Sequence, residues 1–283
     1  MSARTIPTYR RQRLGAEVRR IRTAAGMSAE EAAALLGMDR SKIPHIESGT
    51  RTINEERLRT LTANCGCFDE DYIAGLVSMA ARLRRHWWDE YRGKLPAGML
   101  DISELEWHAG RLLTTQTVHL PGLLQTEDYA RAIFDSFLPK LSRLEVELRV
   151  AHRQERAQVL AGDNPTPYVG YIHEAALRMQ FGGRAVARAQ LEYLIERGQE
   201  PHISLRVISF EHGIFPGAGH ALLYAEGPVP QLDTVQLDTA HGPHFAHAEA
   251  QLAQYRSHLR WMDETALSER ESRDFIHGIA KQL

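Results

Sequence analysis

The chain has 283 residues, of which 43% are hydrophobic and 25% are charged, and its formal net charge is −2. No apolar run approaches the ~18 residues that cross a bilayer, and the arginine-rich start lacks the apolar core of a signal peptide. The two cysteines, Cys65 and Cys67, are one residue apart and provide neither a disulfide framework nor a zinc finger. We therefore expect a cytoplasmic protein without a membrane partner.

The first predicted helix spans residues 11–25. Leu14, Val18 and Ile21 recur at four- and three-residue steps and form one apolar stripe. Gly26 follows the stripe, and glycine is favoured just past a helix C-terminus. The sequence thus opens with an amphipathic helix that needs a partner for its apolar face.

A second helix is predicted over residues 28–36. Ser28 and Glu31 have the spacing of a capping box, in which each side chain accepts from the backbone of the other residue. Gly37 ends the helix, and the turn that follows is so short that it restricts the orientation of the next helix.

A third short helix is predicted after this turn, with Ile43 and Ile46 facing inward. Pro44 complicates it, because a proline in a helix interior costs about 3 kcal/mol. With Asp39 as the cap Pro44 lies in the interior, whereas with Ser41 as the cap it lies in the tolerated first turn. We favour the Ser41 cap or a tightened first turn.

Two further helices complete the predicted five-helix unit. One begins after the cap Asn54 and buries Leu58 and Leu61. The other begins at Asp69 and is expected to end among Arg82, Arg84 and Arg85, with acids first and bases last as the helix macrodipole favours.

This layout is that of a helix-turn-helix, and residues 19–51, "RRIRTAAGMSAEEAAALLGMDRSKIPHIESGTR", resemble the phage-repressor-like (XRE) transcriptional regulators. The resemblance implies a structural ion pair between Arg22 and Glu47. The sequence departs from the family pattern at Ala29, where family members often carry a glutamine that contacts the DNA backbone. The resemblance implies base contacts from Arg40, Ser41 and His45 and phosphate contacts from Lys42, Arg51 and Ser28.

Charge is distributed unevenly along the chain. Residues 1–67 hold 12 Lys and Arg against 7 Asp and Glu, a net charge of +5, and the remaining residues hold 22 against 29, a net charge of −7. A basic head on an acidic body is expected when only the head meets phosphate.

Glycines and a proline in residues 92–98 interrupt the helical pattern. We therefore predict a DNA-binding domain over 1–85, a linker over 86–98 and an α+β regulatory and dimerisation domain with one small sheet over 99–283. Its predicted strands are 114–119, 168–173, 203–209, 221–225 and 234–239. Its predicted helices are 126–137, 141–160, 184–197, 245–262 and 268–280.

Three segments of this region resemble a second family, an uncharacterised domain (DUF5753) that follows this helix-turn-helix in many actinobacterial regulators. They are "HLPGLLQTEDYARAIF" at 119–134, "HEAALRMQFGG" at 173–183 and "ALSERESRDFI" at 266–276. In that family the gene commonly neighbours one for a small protein of another uncharacterised family (DUF397). The resemblance therefore implies a small companion protein as a partner.

The first of these segments has two interpretations. In one, Pro121 and Gly122 turn the chain between a strand and a helix that Thr126 caps, and no ligand is involved. In the other, the same corner lines a pocket for an effector or partner. The residues of this candidate pocket are Pro121, Gly122, Leu123, Leu124 and Gln125.

Several histidines, among them His241, His244 and His247, lie near carboxylates in the last third of the chain. Histidine with carboxylate can bind zinc or transfer protons, but none of the standard catalytic or metal spacings is present. We expect no catalytic residue, no metal and no cofactor.

The sequence favours a sequence-specific DNA-binding transcriptional regulator whose main partner is double-stranded DNA. One short reading helix covers only a half-site, so we expect a homodimer. The C-terminal domain would mediate dimerisation and sense a small-molecule effector or a protein signal. The alternative is a protein-interaction module in which Pro44 and Ala29 mark a degenerate head that docks the companion protein.

Overall fold

The structure is a computed structural model that describes residues 7–81, 85–216, 219–239 and 241–283. The chain forms two compact units. The first comprises Met1–Glu90 together with Pro228–Leu232, and the second comprises Tyr91–Gly227 and Asp233–Leu283.

The first unit is helical, and the predicted caps are confirmed. Ser28 forms a capping box with Glu31, while Asn54 and Asp69 accept from the backbone of the third residue of the helices that follow them. Its helices are α1 (Tyr9–Ala24), α2 (Ala29–Leu35), α3 (Lys42–Glu47), α4 (Glu55–Asn64) and α5 (Glu70–Ala80).

The predicted apolar stripes meet in one core. Leu14, Val18 and Ile21 of α1 are buried together with the inward face of α3, which carries Ile43 and Ile46. Leu58 and Leu61 of α4 and Ala32 and Ala33 of α2 complete this core.

Helix α5 is shorter than predicted. It ends at Ala80, because Ala81 adopts an extended conformation, so it does not continue to Arg85. Arg82 and Arg84 lie outside the described residues.

One six-stranded sheet organises the second unit, in the order β3-β2-β1-β4-β5-β6. β1 lies between β2, which is parallel to it, and β4, which is antiparallel. In the middle of β1, Thr114 pairs with Gly170 of β2 on one side and with Leu223 of β4 on the other. The strands are β1 (Arg111–Gln116), β2 (Tyr168–His173), β3 (Ile203–Ile208), β4 (Leu222–Glu226), β5 (Thr234–Thr239) and β6 (Gly242–Ala246).

Helices cover both faces of this sheet, so its strands bury side chains on both sides. The helices of the unit are α6 (Ala97–Trp107), α7 (Glu127–Asp135), α8 (Arg143–Arg156), α9 (Glu174–Arg178), α10 (Arg184–Arg197), α11 (Glu249–Thr265) and α12 (Glu269–Gln282). Leu112 of β1 belongs to a core that includes α10 and α12, whereas the next residue, Leu113, belongs to a core that includes α11. The α+β architecture agrees with the prediction.

The sequence pattern missed two elements that define the second unit. Residues 242–246, of which 245 and 246 were predicted as helix, form β6, and α11 begins only at Glu249. β6 is an edge strand, where Pro243 is tolerated because one side of an edge strand needs no donor. Helix α6 begins directly after Pro96, since a proline that would interrupt a helix is tolerated at its start.

No helix in the described part of the chain is both long and apolar enough to cross a membrane.

Candidate functional sites

Pro44 lies in the first turn of α3. Ser41 is the N-cap of α3, so Pro44 is the third helical residue, whose amide would have no partner within the helix. The backbone N–H of Lys42 donates to the carbonyl of Asp39 at 3.0 Å and that of Ile43 to Arg40 at 3.4 Å, the spacing of a tightened turn. Pro44 thus lies in a tightened first turn, one of the two alternatives that we favoured. Ser41 makes no side-chain cap hydrogen bond, and the side chain of Asp39 accepts from the backbone N–H of Ser41 at 2.7 Å.

An ion pair fixes the far end of α3 to α1. Glu47 accepts from Nε of Arg22 at 2.5 Å and from Nη2 at 3.2 Å, and both side chains are 11% exposed. Arg22 also donates from Nη1 to the carbonyl of Met27 at 2.6 Å, which ties the start of the α2 segment to the same guanidinium. The planar guanidinium thus joins three segments in one geometry.

Glycine allows α1 and α3 to approach closely. A Cβ atom on Gly15 would lie 2.5 Å from the carbonyl oxygens of both Ile46 and Glu47. Gly49, just after α3, has a φ of +75°, and a Cβ there would lie 2.7 Å from the backbone nitrogen of Gln12. Backbone therefore packs against backbone, and the position of α3 on the unit is sterically determined.

The side chains predicted to contact bases lie exposed at the first turn and outer face of α3. Arg40 is 75% exposed and forms a surface ion pair of 3.4 Å with Glu30, an interaction of low stability. The hydroxyl of Ser41 donates to Asp39, which leaves the Ser41 oxygen free to accept from a base amino group. The hydrogen bonds from Ser41 also lower the pKa of Asp39.

The loop after α3 folds back on His45. The carbonyl of His45 accepts from the backbone N–H of Arg51 at 2.9 Å and from the hydroxyl of Thr50 at 3.0 Å. Nδ1 of His45 lies 3.3 Å from the Thr50 hydroxyl, within hydrogen-bond distance. His45 and Arg51 are thus held on the same exposed end of the unit.

The three predicted phosphate contacts occupy different positions. Arg51 is exposed and Lys42 is half-buried, and neither forms an ion pair with a carboxylate in the described residues. Ser28 uses its oxygen to cap α2, accepting from the backbone of Glu31 at 3.2 Å, and keeps its hydroxyl proton for another acceptor. All three carry donors, as a phosphate requires.

The second candidate site is the corner after β1. Pro121 begins a short 3-10 helix, Gly122–Leu124, and Thr126 caps α7 as predicted. Gln190 from α10 braces the corner: its amide donates to the carbonyl of Leu124 and its oxygen accepts from the backbone of Thr126, each at 2.7 Å. The turn at Pro121 and Gly122 and the cap by Thr126 agree with the first interpretation of this segment.

The same corner also borders a cavity of about 530 Å³ that lies within the second unit. Gly122, Leu123 and Gln125 line it, whereas Pro121 and Leu124 do not. The corner therefore forms the expected turn and also borders a cavity.

The arginines of this cavity were not identified from the sequence. Arg149, Arg153 and Arg156 of α8 all line it. Their spacing of four and three residues places them on one helix face and was the available signal. In the part of the chain that the structure describes, no group of three or more His, Cys, Asp or Glu side chains is arranged to hold a metal ion.

Two helices joined by a tight turn, the second exposed at its basic first turn, define a helix-turn-helix DNA-binding unit. Residues 13–74 match a family model described as a helix-turn-helix domain, and residues 99–278 match one described as a domain of unknown function (DUF5753). The second match spans more than half of the chain, so the chain belongs to the DUF5753 family. The helix-turn-helix domain indicates DNA binding and regulation of transcription. No curated protein and no solved structure matches the chain.

Proposed function

We propose that this chain is a sequence-specific transcriptional regulator of the phage-repressor-like type, in which α3 enters the major groove. Arg40, Ser41 and His45 contact base edges in this proposal, and arginine is suited to the paired acceptors of guanine. The observation that carries it is the Arg22–Glu47 ion pair, which holds α3 in a fixed position while its first turn stays exposed.

Phosphate contacts from Lys42, Arg51 and Ser28 set the orientation of the unit on the duplex. Such contacts carry no sequence information but supply much of the affinity. The excess of positive charge in residues 1–67 supports these phosphate contacts, because it adds a general attraction to the phosphate backbone.

We further propose that the regulator acts as a homodimer in the cytoplasm and that the second unit supplies dimer contacts and receives a signal. A six-residue reading helix spans only a half-site, and two half-sites are needed for useful specificity. The cavity beside Gly122, Leu123 and Gln125 is the site that we assign to a signal. A small companion protein is the second proposed partner, and we assign binding rather than catalysis to the chain.

The alternative, a docking module with a degenerate head, depended on Pro44 and Ala29. Pro44 lies in a first turn that tolerates it, which removes the stronger of the two arguments. Ala29 is the first residue of α2 and lacks a side-chain donor, so one backbone contact is absent.

The proposed roles can be separated by selecting binding sites from genomic fragments and titrating the best site and a scrambled one by fluorescence anisotropy. Arg40→Ala should cost about 1–3 kcal/mol on the selected site and relax base preference, whereas Arg51→Ala should weaken both sequences alike. Glu30→Gln is the matched control, since it breaks the surface pair of Arg40 and should leave sequence preference unchanged.

Affinity for the selected site should also fall steeply with salt, and Arg51→Ala should reduce that slope by about one counterion. Equal losses on both sequences for Arg40→Ala and Arg51→Ala would refute the assigned roles. Binding with neither sequence preference nor salt dependence would favour the docking module.

A further inference from the structure

The cavity of the second unit lies beside β1, the strand between the parallel β2 and the antiparallel β4. Gln116 at the carboxyl end of β1 and Thr114 two residues earlier both line the cavity. The volume of the cavity, about 530 Å³, is within the range of small-molecule sites.

Helix α8 presents three guanidinium groups to this cavity, and in the described residues only one of them is neutralised by an ion pair. Arg156 donates to Glu106 from Nε at 2.9 Å and from Nη2 at 2.6 Å. Both members of this pair are buried, Glu106 at 1% and Arg156 at 9% exposure, so they form a closed structural pair.

Arg153 and Arg149 have no such partner within the described ranges. Arg153 donates from Nη1 to the side chain of Gln125 at 2.5 Å and lies over the ring of Phe134, 4.4 Å from its centroid. Arg149 donates to the sulfur of Met99 at 3.4 Å, a weak acceptor. The buried Nε–H of each arginine lacks an acceptor in the described residues, and neither arginine forms an ion pair there.

The other charged groups of the cavity do not balance them. Besides Glu106 the described lining contains one more carboxylate, Asp238, which is exposed, accepts from Gln236 at 2.8 Å and forms no ion pair with Arg153. Burial and the charge of Arg153 lower the pKa of His119, and an imidazole cannot supply negative charge in either protonation state. Three guanidinium groups therefore face two carboxylates, an excess of one positive charge, and the charge of Asp238 acts on Arg153 without a direct ion pair in the described residues.

Burial and the positive charge of neighbouring arginines lower the pKa values of two groups on α8, Arg153 and His152. Burial, and next the charge of Arg156, lower the pKa of Arg153 to about 9, which still leaves it protonated at neutral pH. Burial and the three arginines lower the pKa of His152, on the same helix, to about 3. An anion in the cavity would relieve a positive potential that the lining itself does not neutralise.

We propose that this cavity binds a small organic anion, whose acid group is held by Arg149 and Arg153. Its apolar body packs against Leu123, Ile133 and Phe134, which line the same cavity. This inference rests on the proposed function in one respect, that the cavity receives the signal of a regulator. The acid group is a carboxylate or a phosphate, because both match the donor geometry of arginine.

Isothermal titration calorimetry of the full chain tests the proposal with three probes: 4-phenylbutyrate, phenyl phosphate and the neutral 4-phenyl-1-butanol. One of the two anions should bind with a stoichiometry of one and about tenfold or more tighter than the alcohol. The stronger anion identifies the acid group. Arg153→Gln should weaken that anion by about tenfold or more, while Arg188→Gln, an exposed arginine of α10 paired with Glu192, should change nothing.

Arg149→Gln provides an independent test if Arg153→Gln does not fold, since the described contact of the Arg149 guanidinium is with the weakly accepting sulfur of Met99. It should weaken the same anion without changing the weak binding of the alcohol. The proposal is overturned if neither anion shows saturable binding, if the alcohol binds as tightly as the anions, or if neither arginine substitution affects them. DNA is absent from these titrations, so a failure of DNA recognition would leave their outcome unchanged and would count against the proposed function alone.

Discussion

The packing of α1 against α3 makes a prediction that opposes simple helix propensity. Gly15 lies inside α1, where alanine is ordinarily more stable than glycine by about 1 kcal/mol. In this structure, however, a Cβ atom at Gly15 would lie 2.5 Å from the carbonyl oxygens of Ile46 and Glu47. These are backbone atoms of a helix, so the clash is relieved only if α1 and α3 separate.

The magnitude follows from the two opposing contributions. Overpacking of a close contact costs about 1–3 kcal/mol, and a rigid backbone neighbour favours the upper end. After the helix gain of about 1 kcal/mol is subtracted, Gly15→Ala should destabilise the first unit by about 2 kcal/mol. Gly278→Ala in α12 is the matched control, because a Cβ atom added there would meet no described atom within 4 Å, and it should stabilise the second unit by about 1 kcal/mol.

Hydrogen exchange measured by mass spectrometry reports on the two units separately. Gly15→Ala should lower the protection of the most stable amides in α1 and α3, and Gly278→Ala should raise that of amides in α12. Unchanged or greater protection of α1 and α3 in Gly15→Ala would refute the conclusion that their contact is sterically determined.

Two further predictions concern buried ionisable groups. Glu47→Gln leaves Arg22 without its carboxylate and should lower the free energy of unfolding of the first unit by about 3 kcal/mol in chemical denaturation, while the double variant Arg22→Met with Glu47→Leu should recover part of it. A loss below about 1 kcal/mol, the range of an exposed pair, would contradict the structural role. His152 has a folded-state pKa of about 3, below its unfolded value of about 6.5. The unfolded chain therefore binds one more proton than the folded chain between these two pH values. The stability that His152 contributes is present above pH 6.5 and is lost as pH falls towards 3. Unfolding free energies measured from about pH 5.5 to about pH 4 should fall by about 1.4 kcal/mol per pH unit from this group. A profile for His152→Gln as steep as that of the wild type would show that another group is responsible.

The local elements of the first unit could be predicted from the sequence because their determinants are local. Ser28 with Glu31, and Asn54 and Asp69 before their helices, satisfy backbone donors within three residues, and no distant part of the chain is needed. The pairing of Arg22 with Glu47 was instead implied by family resemblance, since 25 residues separate them and spacing alone indicates no contact.

The sequence pattern did not predict an edge strand, β6, or a helix that begins after a proline, α6. β6 contains Gly242 and Pro243, which are poor strand formers, and it is a strand because β5 offers it a pairing partner. Helix α6 follows Pro96, and the Pro and Gly residues around its start predicted a linker instead. In both cases the surrounding structure overrode the local preference.

The sequence by itself determined the helix-turn-helix, the two-part organisation of charge and the helical spacing of Arg149, Arg153 and Arg156. Only the tertiary structure decided which of these arginines is neutralised, because the partner of Arg156, Glu106, comes from α6, 50 residues away in the chain. It also placed the turn at Gly122 beside the same guanidinium groups and left a cavity between them. Helix periodicity follows from backbone geometry within a few residues, whereas the compensation of a buried charge depends on which distant side chains the fold brings to it.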